Sequence, residues 1–362
     1  MATTMKAYNY SRHRATPTVS DVPVPPPPSP GQLLIKVHGS SINPADYKSA
    51  AGEQAAILNF AWPRVYGFDF AGVVHAVPAG SSRNIGDKVF GMIRGLPEAN
   101  TGTLAEFCLV DEAVCATCPD GVSFTDCASI PLVGITTVLA LDACNIAART
   151  APNVLILGGA GGVGSVAIQI AKHVYGGTVT TTASAGPKTA LCKSLGADVV
   201  VDYRSNKFEE VLEENSFDVI FDTTGEASKA VKLLAEGGGM CSILAGPTVD
   251  AIRDWLSRSE LPASKITTGV RPFLMSGIGG GIFNCVAGGR AMKSRCAARG
   301  ATFGHVIGTG EGRAMALLAE WMTQKKVRAV IDSEWNLSEA GEAVEKLKSG
   351  RCMGKVVLKH TE

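Results

Sequence analysis

The feature that most limits how this chain can fold is a glycine-rich turn between two apolar segments. Residues 154–157 read Val-Leu-Ile-Leu, and Gly-Gly-Ala-Gly-Gly-Val-Gly follows at 158–164. After a buried strand and before a helix, the spacing Gly-x-Gly-x-x-Gly is typical of a dinucleotide-binding turn. Its glycines let backbone amides approach a pyrophosphate, whose charge the N-terminus of the helix favours. The residues expected at the cofactor are Gly159, Gly161, Gly162, Val163 and Gly164.

Apolar runs alternate with helical spacing around this turn. Runs rich in β-branched residues occur at 179–182, 199–201, 219–221 and 240–244, and helical periods occupy 163–174 and 187–195. Continuous apolar strands separated by helices are typical of a parallel sheet that helices cover on both faces. We therefore expect a doubly wound, Rossmann-like domain at 127–309.

The two ends of the chain have a different pattern. Residues 1–126 contain short strand-like segments broken by Gly and Pro, with a polyproline-type connector at 24–31. After a predicted helix at 313–324, strand-like sequence returns and ends at 354–358. The predicted fold class is α/β, in which a β-rich domain begins at 1–126, is interrupted by the doubly wound domain and is completed by 310–362.

Composition excludes several classes of function. The 34 Lys and Arg nearly balance the 33 Asp and Glu, so the net charge of +1 provides no basic field for nucleic acid. The charge-free stretches at 153–171 and 272–289 are rich in glycine, which argues against a membrane span. Ten irregularly spaced cysteines, without a secretory signal, suit a reducing compartment. We expect a cytoplasmic protein, with a mitochondrial location left open.

One pair of cysteines has the spacing of a metal site. Cys115 and Cys118 form a CxxC pair, but the sequence offers no second pair and no histidine at a suitable distance. Packing cysteines are therefore favoured over a metal or redox site, and we predict no metal ligand.

The residues after the second strand of the doubly wound domain indicate which dinucleotide binds. NAD sites usually end this strand with Asp or Glu, which accepts a hydrogen bond from the adenosine ribose. Here the strand ends at Ser184 without a carboxylate, and Lys188 follows. A hydroxyl and a cation suit the 2′-phosphate of NADPH, and Tyr203 with Arg204 could close over it. We predict NADPH, although Lys188 taken singly would more often be a solvated lysine.

Several short motifs occur in order along nearly the whole chain. Besides the glycine turn, they are Ser-Ile-Asn-Pro-Ala-Asp at 41–46, Gly-Phe-Asp-Phe-Ala-Gly-Val-Val at 67–74, Gly-Asp-Lys-Val at 86–89, Gly-Thr-Leu-Ala-Glu-Phe at 102–107, Gly-Ile-Thr at 134–136, Leu-Gly-Ala-Asp at 195–198 and Gly-Lys-Val-Val at 354–357. With them the sequence resembles the medium-chain dehydrogenase/reductase superfamily, in its zinc-independent quinone oxidoreductase branch. The tail at 290–358 is most similar to reticulon-interacting mitochondrial oxidoreductases and plant enone reductases. The resemblance implies a GroES-like catalytic domain, a Rossmann domain and a cleft between them.

The resemblance also implies the type of reaction. Zinc-dependent members have a cysteine where Asn43 stands and a His-Glu pair at the positions of Phe68 and Asp69, so we predict no catalytic zinc. Without a Lewis acid, hydride transfer from NADPH to a quinone or an α,β-unsaturated carbonyl fits, because these acceptors are already electron-poor. The expected substrate is small and lipophilic.

Roles for individual residues follow from the same resemblance. It places Asn43 beside the nicotinamide and Thr136 on the cofactor amide or ribose. The remaining residues expected at the cofactor are Thr224, Ala245 and Lys355.

Three further side chains are catalytic candidates with open alternatives. The resemblance suggests that Lys48 faces the cofactor, and Tyr47, which directly precedes it, is a second catalytic candidate. The plainer interpretation is that Asp46 caps the next helix and Lys48 is solvated. Tyr66 is either a substitute proton donor or a core residue, so the proton donor stays open.

Assembly and function class also keep alternatives. The segment 247–300, with an apolar middle, predicts a flap over a lipophilic substrate, or else a membrane-surface or dimer contact. The strand at 301–307 is the edge through which relatives pair, so we expect a homodimer. The alternative to an enzyme is a non-catalytic NADPH-binding structural or regulatory protein, which the intact glycine motif and Asn43 disfavour.

Overall fold

The computed structural model describes residues 3–12, 15–51, 63–93, 102–244, 280–304, 306 and 311–360. The strands are β1 (Thr4–Tyr10), β2 (Thr18–Pro23), β3 (Gln32–Ile42), β4 (Arg64–Val65), β5 (Asp69–Ala76), β6 (Lys88–Met92), β7 (Phe107–Asp111), β8 (Cys115–Thr117), β9 (Asn153–Leu157), β10 (Thr178–Ala183), β11 (Val199–Asp202), β12 (Phe217–Asp222), β13 (Leu234–Ser242), β14 (Thr302–Gly304), β15 (Ile331–Asn336) and β16 (Lys355–Lys359). The helices are α1 (Pro44–Ala51), α2 (Phe124–Ala128), α3 (Pro131–Ala143), α4 (Gly162–Gln169), α5 (Pro187–Ser194), α6 (Phe208–Val211), α7 (Ala227–Ala230), α8 (Gly280–Ala297), α9 (Gly312–Thr323) and α10 (Ala340–Lys348).

The central part of the chain forms the expected parallel sheet. Its strand order is β11-β10-β9-β12-β13-β14, and every described pair in it is parallel. The residues at 154–157 in β9 are fully buried, as a strand covered on both faces requires. The α/β fold with a Rossmann-like domain is therefore confirmed.

Two strands differ from the sequence expectation. β13 begins at Leu234 rather than near 240: Leu234 pairs with Phe217 of β12, the register then shifts, and regular pairing resumes at Gly239. A Cβ at Gly239 would lie 2.6 Å from the Cα of Cys144, so a glycine there lets β13 approach the end of α3. β14 covers Thr302–Gly304, and Ala301 and Val306 lie outside it, whereas 305 and 307 of the expected strand are not among the described residues; β14 is the last strand of the described sheet.

The first part of the chain and its last strands build the β-rich domain together. β2-β1-β4 form a small antiparallel sheet, and β15-β16-β3-β5-β6-β8 form a larger one, to which β7 adds by pairing with β3. β15 and β16 thus return to the sheet that β3 begins, as the sequence predicts for 310–362. The exact domain limits at 126 and 309 stay predictions.

The start of β16 touches the glycine turn directly. The Gly354 amide donates a hydrogen bond to the Ala160 carbonyl at 2.9 Å. Gly354 has a φ of +85°, and a Cβ there would lie 2.1 Å from the Val330 carbonyl oxygen, so the contact requires glycine. This junction brings the next residue, Lys355, to the turn.

Within the described residues, no helix is long and apolar enough to cross a membrane. Residues 272–279 of the charge-free stretch, and residues 247–279 of the expected flap at 247–300, lie outside those residues.

Candidate cofactor and active site

The glycine turn is built by glycines that the chain itself needs. Gly158 has a φ of +85°, which favours glycine. A Cβ on Gly159 would lie 2.2 Å from Thr181 Oγ1, and one on Gly164 would lie 2.2 Å from the Gly158 carbonyl oxygen. These positions hold the turn against β10 and start α4 close to β9.

Gly161 is different, because the fold does not explain its missing side chain. Its φ of −79° suits any residue, and the nearest atom to an added Cβ is 3.5 Å away. Gly161 is the N-cap of α4 and provides no side chain to satisfy the first amides of that helix. Bare backbone at an uncapped helix N-terminus fits a pyrophosphate.

Thr224 lies on the other side of the turn. Its Cγ2 is 2.9 Å from the position of a Gly158 Cβ, and its hydroxyl donates to Asp222 Oδ1 at 2.9 Å. The ends of β9 and β12 therefore bring Thr224 next to the glycines, as its predicted cofactor role requires.

A buried polar cluster lies beside the turn in the β-rich domain. Asp69 Oδ2 accepts hydrogen bonds from Ser41 Oγ at 2.6 Å and from Asn43 Nδ2 at 2.8 Å. The Lys355 ammonium hydrogen-bonds Asn43 Oδ1 and lies 3.3 Å from Asp69 Oδ2. Asn43, Asp69 and Lys355 are all buried. Both the nitrogen and the oxygen of the Asn43 side-chain amide are therefore hydrogen-bonded, which fixes the orientation of that side chain.

The cluster contacts both the glycine turn and α3. A Cβ on Gly162 would lie 3.0 Å from Lys355 Cδ and 3.4 Å from Val133 Cγ1. The Leu132 amide, in the first turn of α3, donates to Asp69 Oδ1 at 2.8 Å. Thr136 is buried about one helical turn further on. The structure therefore brings Asn43, Lys355 and the turn together, with Thr136 nearby.

Asp46 is an ionisable group at the base of this cluster. Its Oδ2 accepts a hydrogen bond from the backbone amide of Asn43 at 2.6 Å, as a helix-capping residue does. Burial raises the pKa of Asp46 to about 7. Burial lowers the pKa of the Arg64 guanidinium, on β4, to about 10, and the charge of Asp46 opposes that shift.

Comparison with known proteins agrees with this architecture. Residues 29–120 match the model of the alcohol dehydrogenase GroES-like domain, and 195–358 match that of the zinc-binding dehydrogenases. The 2-methylene-furan-3-one reductase of Solanum lycopersicum is 35% identical over 282 residues, which are 75% of this chain and 70% of that protein. The chain belongs to the medium-chain dehydrogenase/reductase superfamily.

Other members of the superfamily point in the same direction. The chloroplastic NADPH-dependent alkenal/one oxidoreductase of Arabidopsis thaliana is 35% identical over 256 residues, which are 69% of this chain and 65% of that protein. The structure of the quinone oxidoreductase from Coxiella burnetii superposes with a TM-score of 0.77 at 27% identity, covering 98% of this chain and 99% of that one. These relatives support an oxidoreductase with a nicotinamide cofactor.

The predicted catalytic tyrosine Tyr66 lies in a stack of buried tyrosines. Its ring centroid is 4.8 Å from that of Tyr10 and 5.2 Å from that of Tyr8, and its hydroxyl hydrogen-bonds that of Tyr10. Burial raises the pKa of Tyr66 far above its usual range. This geometry favours the core interpretation of Tyr66 over the proton donor.

Tyr47 and Lys48 are both half-buried on α1. The Tyr47 ring packs towards α10, where the Lys348 ammonium lies 5.6 Å from its centroid. Asp46 caps α1 as the alternative interpretation expects, whereas the catalytic roles of Tyr47 and Lys48 stay predictions.

The residues predicted for the 2′-phosphate gather at two adjacent strand ends. Ser184 and Tyr203 follow the paired ends of β10 and β11, and Lys188 is the second residue of α5. Ser184 is buried, Lys188 is half-buried and Tyr203 is exposed. Ala245, the last residue predicted at the cofactor, lies outside the described residues.

Asp202 is a carboxylate that the sequence argument overlooked at this place. It ends β11 and accepts hydrogen bonds from the Arg204 amide at 3.1 Å, from Ser205 Oγ at 2.9 Å and from the Ala185 amide. These hydrogen bonds, above all the one from the Arg204 amide, hold the pKa of Asp202 below its usual value. The cofactor preference was predicted from the end of β10, whereas this carboxylate ends the neighbouring strand β11.

The CxxC cysteines have separate partners. Cys115 Sγ donates to the Asp111 carbonyl at 3.3 Å, and the Cys118 thiol hydrogen-bonds that of Cys127. Within the described part of the chain, His, Cys, Asp and Glu form no group of three that could hold a metal ion. The cysteines pack as core residues.

Proposed function

We propose that the protein is an NADPH-dependent oxidoreductase that reduces a quinone or an α,β-unsaturated carbonyl without zinc. The observation that carries the proposal is the buried cluster of Asn43, Asp69 and Lys355, which lies against the glycine turn. A positioned amide and an ammonium therefore lie beside the turn that would hold the cofactor.

The residues present fit the cofactor. The first amides of α4 and the bare backbone at Gly161 would receive the pyrophosphate, and Lys355 would add a positive charge beside it. Ser184, Lys188 and Tyr203 would hold the 2′-phosphate. When bound, NADPH supplies a hydride to the acceptor.

The chain's own contribution is orientation and charge. Asn43 is locked by Asp69 and Lys355, so it offers a fixed wall for a planar ring. Hydride addition to an enone or a quinone develops negative charge on the acceptor oxygen. A preorganised donor aimed at such an oxygen contributes roughly 3 kcal/mol of transition-state stabilisation. Lys355, whose side chain lies beside Gly162 of the turn, would be such a donor.

The zinc-free reaction is supported by what stands at the ligand positions. An asparagine amide is a poor zinc ligand and Phe68 is none. Phe68 packs in the main apolar core, and Asn43 is already bound to Asp69 and Lys355. The purified protein should therefore keep its activity in a strong chelator, and one zinc per chain by elemental analysis would overturn this part.

Activity is tested by following NADPH absorbance against a panel of quinones and alkenals. Turnover with one acceptor class, lost in Lys355→Met and kept in the surface variant Lys207→Met, supports the proposal. NADPH binding by calorimetry with no turnover on any acceptor would favour the non-catalytic NADPH-binding alternative. A protein that binds neither NADPH nor NADH would refute both.

We also expect a homodimer and a cytoplasmic location. Among the described strands β14 is at the edge of the parallel sheet, where a second copy could continue the ladder. Light scattering of the purified protein tests the dimer, since a monomer mass at micromolar concentration would contradict it.

A further inference from the structure

Asp46 is buried more completely than a helix cap requires. It is the third residue of α1 and only 4% exposed. One oxygen, Oδ2, accepts a hydrogen bond from the backbone amide of Asn43 at 2.6 Å. The other, Oδ1, is buried and has no hydrogen-bond partner among the described residues. A capping carboxylate is usually solvated, and an ionised one with an unpaired buried oxygen is costly.

The groups that interact electrostatically with Asp46 belong to four strands or directly follow one of them. Asp69 of β5 disfavours its ionised form, whereas Lys355 of β16 and Arg64 of β4 favour it. Tyr10 of β1 and Tyr66, which follows β4, also interact with its charge. Lys355 is shared with Asp69 at 3.3 Å. The charge state of Asp46 therefore depends on how fully Lys355 is engaged by other anions.

The proposed cofactor would engage the same lysine. Its pyrophosphate would lie at Gly161 and Gly162, and Lys355 Cδ is 3.0 Å from the Cβ position of Gly162. A pyrophosphate there adds negative charge beside a cluster that already holds two carboxyl groups. Added negative charge favours the protonated form of a nearby acid.

On the basis of the proposed function, we propose that Asp46 takes up a proton when the dinucleotide binds, and so offsets part of the charge that the pyrophosphate brings. The neutral carboxyl can still accept the Asn43 amide hydrogen through its carbonyl oxygen. Asp46 is therefore a positioning residue that keeps Asn43 in place while the charge of the site changes.

The size of the effect follows from the state of Asp46 before binding. Burial raises the pKa of Asp46 to about 7, so near neutral pH the group is about half ionised. The added charge of a pyrophosphate at the turn would raise that pKa by about one further unit if it acts at the strength of a typical nearby charge. Binding at neutral pH should then take up about 0.4 of a proton per chain.

Calorimetry measures this uptake directly. NADH is titrated into the protein near neutral pH in two buffers of different ionisation enthalpy, and the difference in binding heat gives the protons exchanged. NADH is the first probe because it lacks the 2′-phosphate, which titrates itself, and NADPH is the second. The Asp46→Asn variant keeps a side-chain oxygen that can accept the backbone amide hydrogen of Asn43. It should lower the proton uptake on binding by about 0.4 of a proton per chain.

The matched control is Asp126→Asn. Asp126 is the third residue of α2, and its Oδ2 accepts a hydrogen bond from Ser123 Oγ at 2.7 Å, so it has the same helix position without the buried cluster. The proton uptake of the Asp126→Asn variant on binding NADH should equal that of the wild type. Binding by Asp46→Asn with unchanged uptake would overturn the Asp46 proposal alone, whereas no binding of either dinucleotide by the wild type would overturn the proposed function.

A second measurement needs no variant. The wild-type dissociation constant for NADH should rise about 2.5-fold per pH unit near neutrality, because stronger binding at lower pH is the linked consequence of proton uptake. A constant that does not change between about pH 6.5 and 7.5 would refute the proposal even if Asp46→Asn failed to fold.

Discussion

Replacing Lys355 with methionine tests whether the buried cluster is held by charge. The Lys355→Met side chain keeps most of the apolar length that packs against Gly162, but it removes the ammonium between Asn43 and Asp69. Asp69 is fully buried and would keep only neutral donors, among them Ser41 Oγ at 2.6 Å and the Leu132 amide at 2.8 Å. Removing one partner of a buried ion pair typically destabilises a protein by about 3–5 kcal/mol, because it leaves an uncompensated charge.

The second charge can then be removed as well. Asp69→Asn in the Lys355→Met background leaves no uncompensated carboxylate, so the double variant should recover about 2 kcal/mol relative to the sum of the single changes. Urea unfolding at neutral pH, followed by circular dichroism, gives the four free energies of the cycle. Lys207→Met is the control, since Lys207 pairs with Glu210 on an exposed surface, and its urea midpoint should not change measurably.

Two results would refute this reasoning. One is a Lys355→Met variant that loses less than about 1 kcal/mol of unfolding free energy, which would mean that Asp69 needs no cation. The other is strict additivity in the double-mutant cycle, which would mean that Lys355 and Asp69 do not interact. Either would also weaken the proposed function, because the same ammonium is expected to serve the cofactor.

Three further predictions test separate parts of the site. Lys188→Ala should weaken NADPH about ten- to a hundred-fold but hardly affect NADH, and adding Ser184→Asp should invert the preference; equal losses in the two dissociation constants at fixed salt would contradict a 2′-phosphate role. Gly162→Asp should abolish dinucleotide binding in a folded protein because its carboxylate repels the pyrophosphate, and native affinity in calorimetry would refute this. Burial lowers the pKa of His360 to about 3, so below about pH 6.5 the unfolded state alone gains this proton and stability falls. The wild type should lose about 3 kcal/mol more than His360→Gln between about pH 7.5 and 4.5 in urea unfolding, and parallel losses would exclude His360 as the cause.

The glycine turn could be predicted from the sequence because every requirement for it is local. β9, the turn and α4 are consecutive, and the strand shows as a fully apolar run. The start of β13 was less predictable, because Gly237 has a φ of +68° where the register with β12 shifts, whereas Gly239 pairs within the strand and packs against Cys144.

The cluster beside the turn could not be derived from local pattern. Asn43 and Lys355 are 312 positions apart, and only the return of β16 to β3 joins them. Asp69 lies in the motif at 67–74, where it is a single carboxylate in an apolar run, and that pattern is the signal that could have identified it. Asp46 was recognised as a cap, but its burial depends on β4 and β1, which are distant in sequence. The chemical type of each residue could be predicted from the local sequence, whereas its burial and charged neighbours could be determined only from the fold.

The cluster also explains why the proposed acceptors suit this site better than an alcohol does. An alcohol oxidation requires a group that stabilises a full alkoxide, and in the zinc-dependent members of the superfamily the metal does so with two positive charges. Here Lys355 provides a single charge, and Asp69 at 3.3 Å already offsets part of it. Such a site stabilises negative charge only moderately. Quinones and α,β-unsaturated carbonyls delocalise that charge over their own conjugated atoms, so moderate stabilisation is sufficient for them.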